Sequence, residues 1–185
     1  RQMCIRDSLL GNTPMEEIMF ANMQRLGPVP FDEADRAYAR SIQATVGDEA
    51  IEKDYRRAGV PLREETPLCD FIVPLEAVGE PMIGSTDVGD VSWAVPTVQA
   101  RVATHAIGSP GHSWQITAQG KAGAAHKGLI YAAKVMAGTG VDLLTDPAKL
   151  ARAKADHKAR IDKTPYTSPI PADVSAPILP RPVDL

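Results

Sequence analysis

Apolar residues recur at helical spacing in several stretches of this chain, and turn residues separate those stretches. The first stretch starts at Thr13, with Pro14 in the first turn and Glu16 three residues later, and it stops at Gly27. That combination predicts a helix that Thr13 caps, with a capping box formed by Thr13 and Glu16. The same periodicity predicts helices over residues 32–46, 48–58, 122–137 and 146–160 and a short helix from Val88 to Val95.

The middle of the chain follows a different pattern, one that is typical of strands. Residues 70–75 form a short apolar run between prolines, and residues 81–84 start another. Residues 97–107 alternate, with Val98, Ala100 and Val102 on one face and Gln99 and Arg101 on the other. Helices and strands along one chain predict an α/β domain in which helices pack on a mixed sheet.

Composition sets the class of protein and the divisions of the chain. The 185 residues are 44% hydrophobic and carry a net charge of −3, which suits a globular domain and excludes a disordered chain, a membrane span or a broad basic surface for nucleic acid. Two cysteines are too few for a disulfide framework, so we expect a reducing, cytoplasmic setting. We interpret residues 1–8 (RQMCIRDS) as a non-native leader, residues 9–163 as the folded part and residues 164–185 as a proline-rich tail.

Two Gly-containing segments stand out as candidate chemistry. Gly84-Ser85-Thr86-Asp87 lies where a predicted strand gives way to a helix, so its backbone amides and hydroxyls suit a carboxylate. The alternative is that Thr86 or Asp87 only caps that helix. His112 lies in a Gly/Pro-bounded loop, which suits a metal ligand, although a lone histidine in a loop is more often an exposed polar residue.

The other three histidines rank below His112 as candidates. His105 falls on the polar or partner-facing side of a predicted strand. His126 lies in the first turn of a helix, where a neutral, packed imidazole is favoured over a charged one. His157 belongs to a very polar last helix, which predicts that it is exposed to solvent.

Taken together, the blocks Gly84 to Ser92, Pro110 to Ser113 and Ala125-His126-Lys127-Gly128 resemble the C-terminal part of the aminoacylase/carboxypeptidase-like metallopeptidase family, in its amidohydrolase branch. The resemblance runs from about residue 9 to the end. It implies the C-terminal part of an α/β catalytic domain without the lid domain that interrupts it in the family.

The resemblance also implies a site and a reaction. His112 takes the place of the family's last metal ligand, and Gly84, Ser85, Thr86 and Asp87 take the place of a substrate-lining motif in which Thr86 replaces an acid. The implied reaction is hydrolysis of an N-acyl or N-aroyl amino acid, such as p-aminobenzoyl-glutamate, by two divalent ions, zinc or manganese. The general base and the remaining ligands match nothing in this chain, so we expect it to be inactive alone.

Two other functions remain open. The same scaffold suits a non-catalytic module that binds an amino acid or a peptide, with the Gly84 to Asp87 turn holding a carboxylate. It also suits a structural subunit whose proline-rich tail binds a partner. For the intact protein we expect a homodimer or a hetero-oligomer, a small-molecule substrate, and no nucleic acid or membrane partner.

Overall fold

A computed structural model describes residues 9–80, 86, 88–167, 171 and 173–174 of the chain. All regular secondary structure within these ranges is helical. The helices are α1 (Thr13–Leu26), α2 (Glu33–Gln43), α3 (Asp48–Ala58), α4 (Val88–Ala94), α5 (Trp114–Gln119), α6 (Gly123–Thr145) and α7 (Pro147–Lys163). The six helices predicted from periodicity are therefore confirmed, α6 is longer than expected, and α5 was not predicted.

The predicted α/β mixed-sheet fold is wrong for the residues that the structure describes. Residues 70–75 and 97–107 have no regular secondary structure, and residues 81–84 lie outside the described ranges. A single backbone hydrogen bond, from Ile107 N–H to the Pro67 oxygen at 2.9 Å, joins the end of the alternating segment to the stretch before residue 70. Alternation makes a segment suitable for a strand, but a sheet requires a ladder of such bonds to a neighbour.

Over residues 98–102 the alternating segment nevertheless has the buried face that its pattern predicts, although Ala103 on the opposite face also packs against the core. Val98, Ala100 and Val102 are half-buried and pack against the hydrophobic core. Helices α1, α2 and α6 and the segment around Leu68 and Ala106 supply most of the buried residues. The buried set is Met19, Val29, Phe31, Ala39, Ile42, Leu68, Ala106, Ala124, Tyr131 and Val135.

Side-chain caps fix where several helices begin. Asn12, and not Thr13, caps α1, because its side-chain oxygen accepts from Met15 N–H at 3.2 Å. The Asn12 side-chain nitrogen also donates to the Ala153 oxygen at 2.9 Å, which ties the start of α1 to α7. At α2, Asp32 and Asp35 form a reciprocal capping box with two bonds of 3.0 Å.

Helices α1, α6 and α7 pack against one another. Asn22 of α1 is buried and donates to Asp142 of α6 at 2.7 Å, and Lys149 of α7 donates to the same carboxylate at 3.0 Å. The two donors lower the pKa of Asp142. Among the described residues no helix has the length and apolarity that a bilayer crossing requires.

Candidate functional site

The His112 loop joins the alternating segment to α5. His112 is exposed and has φ +57°, in the left-handed region that few non-glycine residues adopt. The next residue, Ser113, caps α5: its hydroxyl donates to the Pro110 oxygen at 2.6 Å and accepts from Ile116 N–H at 3.4 Å. The loop therefore presents an imidazole to solvent from a backbone fixed on its carboxyl-terminal side.

A buried amide holds the same loop from behind. Gln119 of α5 is 3% exposed, and its side-chain oxygen accepts from Ala106 N–H at 2.7 Å. Its side-chain nitrogen donates to the Ser109 hydroxyl and to the Gln115 oxygen, both at 3.0 Å. One side chain thus joins three points on either side of His112, which restricts the conformations of the loop.

Contacts with α2 and α3 fix the start of the loop. Gly108 has φ +87°, and its N–H donates to the Asp54 carboxylate at 2.8 Å. A Cβ at Gly108 would lie 2.8 Å from Cγ1 of Ile51, so the position requires glycine for both space and backbone conformation. Gln43 donates from its side chain to the Ile107 oxygen at 3.1 Å.

The described residues do not by themselves form a metal site. No group of three His, Cys, Asp or Glu side chains in these ranges is arranged to hold an ion. His112 supplies one nitrogen donor, whereas a catalytic zinc site takes about three protein ligands. The imidazole is exposed and does not line the cavities of about 400, 440 and 550 Å³ in the described part of the molecule. Its assignment as a ligand stays a prediction.

The predicted substrate segment is only partly described. Gly84, Ser85 and Asp87 lie outside the described residues, and Thr86 lies within them. The Thr86 hydroxyl accepts from Val88 N–H at 3.3 Å, and its carbonyl oxygen accepts from Gly89 N–H at 3.0 Å. Thr86 therefore has the capping contacts of the alternative interpretation, while a role of this segment in binding substrate stays a prediction.

His105 lines the 440 Å³ cavity together with Asp54, Arg57, Cys69 and other residues. Its Nδ1 lies 3.1 Å from the Thr104 hydroxyl. Burial lowers the pKa of His105, and the Asp54 carboxylate opposes that shift. For the Cys69 thiol, whose charged form is the deprotonated one, burial raises the pKa. Both groups therefore favour their neutral forms.

The remaining two histidines differ from the sequence-based predictions. His126 is exposed in the first turn of α6, so the packed role predicted for it is wrong. His157 was predicted to be exposed, yet it is buried, and its Nε2 lies 3.0 Å from the Ser92 oxygen. That contact joins α7 to α4 and gives the imidazole a structural role.

The motif block around His126 also contains two structural contacts. Lys127 forms ion pairs with Asp32 and Asp35, and its Nζ lies 2.6 Å from Oδ2 of Asp32. These pairs join α6 to the capping box of α2. Gly128 faces Ala103, whose carbonyl oxygen occupies the space of a Cβ. Part of the motif is therefore explained by packing.

Sequence reasoning missed the residues that fix the loop, namely Gln43, Asp54 and Gln119. No local pattern marks them, because their partners are recognised only once the chain has folded. Gln119 was missed because it lies in α5, a six-residue helix that is too short to show helical periodicity in the sequence.

Comparison with known proteins gives a curated relative, a subunit of the p-aminobenzoyl-glutamate hydrolase of Escherichia coli (strain K12). The chain is 33% identical to that subunit over 178 residues. The match covers 91% of this chain but 37% of the relative, so the chain spans little more than a third of that protein's length. No family model and no solved structure matches. The resemblance inferred from the motif blocks is therefore confirmed as similarity to a p-aminobenzoyl-glutamate hydrolase over most of this chain.

Proposed function

We propose that this chain is part of an amidohydrolase that cleaves the amide bond of an N-acyl or N-aroyl amino acid. The similarity to the p-aminobenzoyl-glutamate hydrolase of E. coli over 91% of the chain carries the proposal. The relative's name supports p-aminobenzoyl-glutamate as the first substrate to test. It also designates one subunit of an assembly, which supports a hetero-oligomer as the active form.

Within this proposal His112 is one ligand of a divalent metal site. The geometry supports that role in one respect: hydrogen bonds that involve Gln119, Ser113 and Asp54 fix the loop around the imidazole. A ligand on a fixed loop loses little entropy when it binds a metal. Because the described residues offer no complete ligand set, we assign no catalytic step to them and expect the chain alone to be inactive.

The test uses a chimera in which this chain replaces the matching portion of the E. coli relative. Release of p-aminobenzoate from p-aminobenzoyl-glutamate is measured with and without EDTA, for the chimera and for the chain alone. We expect activity that EDTA abolishes in the chimera and none in the chain alone. His112→Ala is expected to lower kcat/KM by about 100-fold or more.

His126→Ala is the matched control, because His126 is an exposed imidazole outside the His112 loop. Its activity is expected to equal that of the unmodified chimera, with equal thermal unfolding of all variants. Full activity of His112→Ala contradicts the ligand assignment. A chimera that binds p-aminobenzoyl-glutamate without hydrolysing it, and without a bound metal, favours the non-catalytic binding module instead.

A further inference from the structure

One face of α6 is apolar and exposed along most of the helix. Its large side chains keep between about half and nine-tenths of their surface in solvent. They are Leu129 (66%), Ile130 (56%), Met136 (63%), Val141 (58%) and Leu144 (87%). The opposite face of the same helix packs in the core through Ala124, Gly128, Tyr131 and Val135. A helix with apolar residues on two opposite faces resembles one that is covered on both faces within a larger structure.

The exposed residues form a continuous stripe. At 3.6 residues per turn, positions 129, 130, 133, 136, 137, 140, 141 and 144 fall within an arc of about 140°, and they extend over about 22 Å. Every one of these positions is Leu, Ile, Val, Met, Ala or Gly. Lys134 borders the stripe, whereas Lys127 and Asp142 form ion pairs with α2 and α7. We call these eight positions the α6 stripe.

The charges around the α6 stripe argue against a lipid surface as its partner. Helices that lie on membranes carry a face rich in Lys and Arg beside their apolar face. Here the other face of α6 is packed in the core, and the chain has a net charge of −3. A long apolar surface without charges instead resembles the interior of a permanent protein interface.

The length of the curated relative indicates what covers the α6 stripe. This chain matches that protein over 91% of its own length but over 37% of the relative's, so most of the relative's polypeptide has no counterpart in this chain. We propose that the α6 stripe packs against the part of a p-aminobenzoyl-glutamate hydrolase subunit that this chain does not match. The proposal rests on the sequence similarity and on the exposure of α6, and it does not depend on hydrolytic activity.

The test is co-expression of the full 185-residue chain with the unmatched portion of the E. coli relative carrying an affinity tag. We expect the two polypeptides to co-purify in a 1:1 ratio. The double variant Leu129→Ser/Leu144→Ser is expected to lower the recovery of this chain by about tenfold or more, because it places two hydroxyls in an apolar interface. The matched control is Leu62→Ser/Val78→Ser, which alters two apolar residues that are 52% and 90% exposed outside α6, and its recovery is expected to be unchanged.

Circular dichroism checks that both double variants keep the helical content of the original chain, as expected for changes at exposed positions. Absence of co-purification with the original chain overturns the proposal, and so does equal recovery of the two double variants. Sedimentation of the chain alone provides the remaining comparison. If the chain alone is a homodimer and Leu129→Ser/Leu144→Ser converts it to a monomer, the partner of the α6 stripe is a second copy of the chain. That result also overturns the proposal.

Discussion

Gln119→Met tests whether one buried amide holds the His112 loop in place. Methionine has nearly the same length and volume as glutamine but makes no equivalent hydrogen bonds. In the unmodified chain the Gln119 side chain accepts from Ala106 N–H at 2.7 Å and donates to the Ser109 hydroxyl at 3.0 Å. Ala106 is fully buried, so water cannot replace the lost acceptor.

The expected loss follows from these contacts. An unsatisfied buried N–H costs about 1–3 kcal/mol, and each lost bond from the Gln119 nitrogen contributes about 0.5–1.5 kcal/mol. Burial of the methionine side chain offsets part of this, which leaves a free energy of unfolding lower by about 2–4 kcal/mol. With an m-value of about 2 kcal/mol/M in urea, the unfolding midpoint should fall by about 1–2 M.

Urea unfolding followed by circular dichroism measures this change. Gln24→Met is the matched control, since Gln24 is exposed in α1, and its effect should stay within about 0.5 kcal/mol. If the free energy of unfolding of Gln119→Met also stays within about 0.5 kcal/mol of the original chain, the amide does not stabilise the loop. The structural basis for a fixed His112 would then fail.

Two further predictions concern α6 and the buried imidazole. Gly128→Ala should destabilise the chain, because the new Cβ would overlap the Ala103 oxygen. Gly140→Ala should stabilise it by about 0.5–1 kcal/mol, because no atom lies near the new Cβ. If thermal unfolding does not find Gly128→Ala the less stable of the two, this packing is contradicted. Burial lowers the folded-state pKa of His105, so protonation favours unfolding and stability is lost as pH falls below about 6.5. The urea midpoint should therefore fall further between a neutral and a mildly acidic buffer for the original chain than for His105→Gln, and equal falls would refute the shift.

Part of the motif that carries the family resemblance has an identifiable packing role. Gly128 permits the close approach of α6 to Ala103, and Lys127 links α6 to α2. Substitutions at these two positions should therefore change stability, whereas His112 is exposed and its substitution should mainly affect a function. This difference makes His112→Ala the more informative test of the proposed activity.

Local sequence predicted six of the seven described helices because their signals lie within a few residues. Helix α3 begins and ends at the residues predicted for it, Asp48 and Ala58, since acidic residues start it and Gly59 stops it. The residue that caps helix α1 is Asn12, one position before the predicted cap Thr13. Cap and stop residues act on backbone groups next to them, so these features need no tertiary context.

The tertiary structure decided what local patterns cannot express. Residues 97–107 have a strand pattern, yet the described residues provide no neighbouring strand to complete the backbone bonds. His157 lies on a polar helix but is buried, with its Nε2 next to the carbonyl oxygen of Ser92, 65 residues away. The sequence alone determined the positions of six helices, the His112 loop and the family resemblance. Packing between distant segments decided which side chains are buried, since burial depends on neighbours that periodicity does not identify.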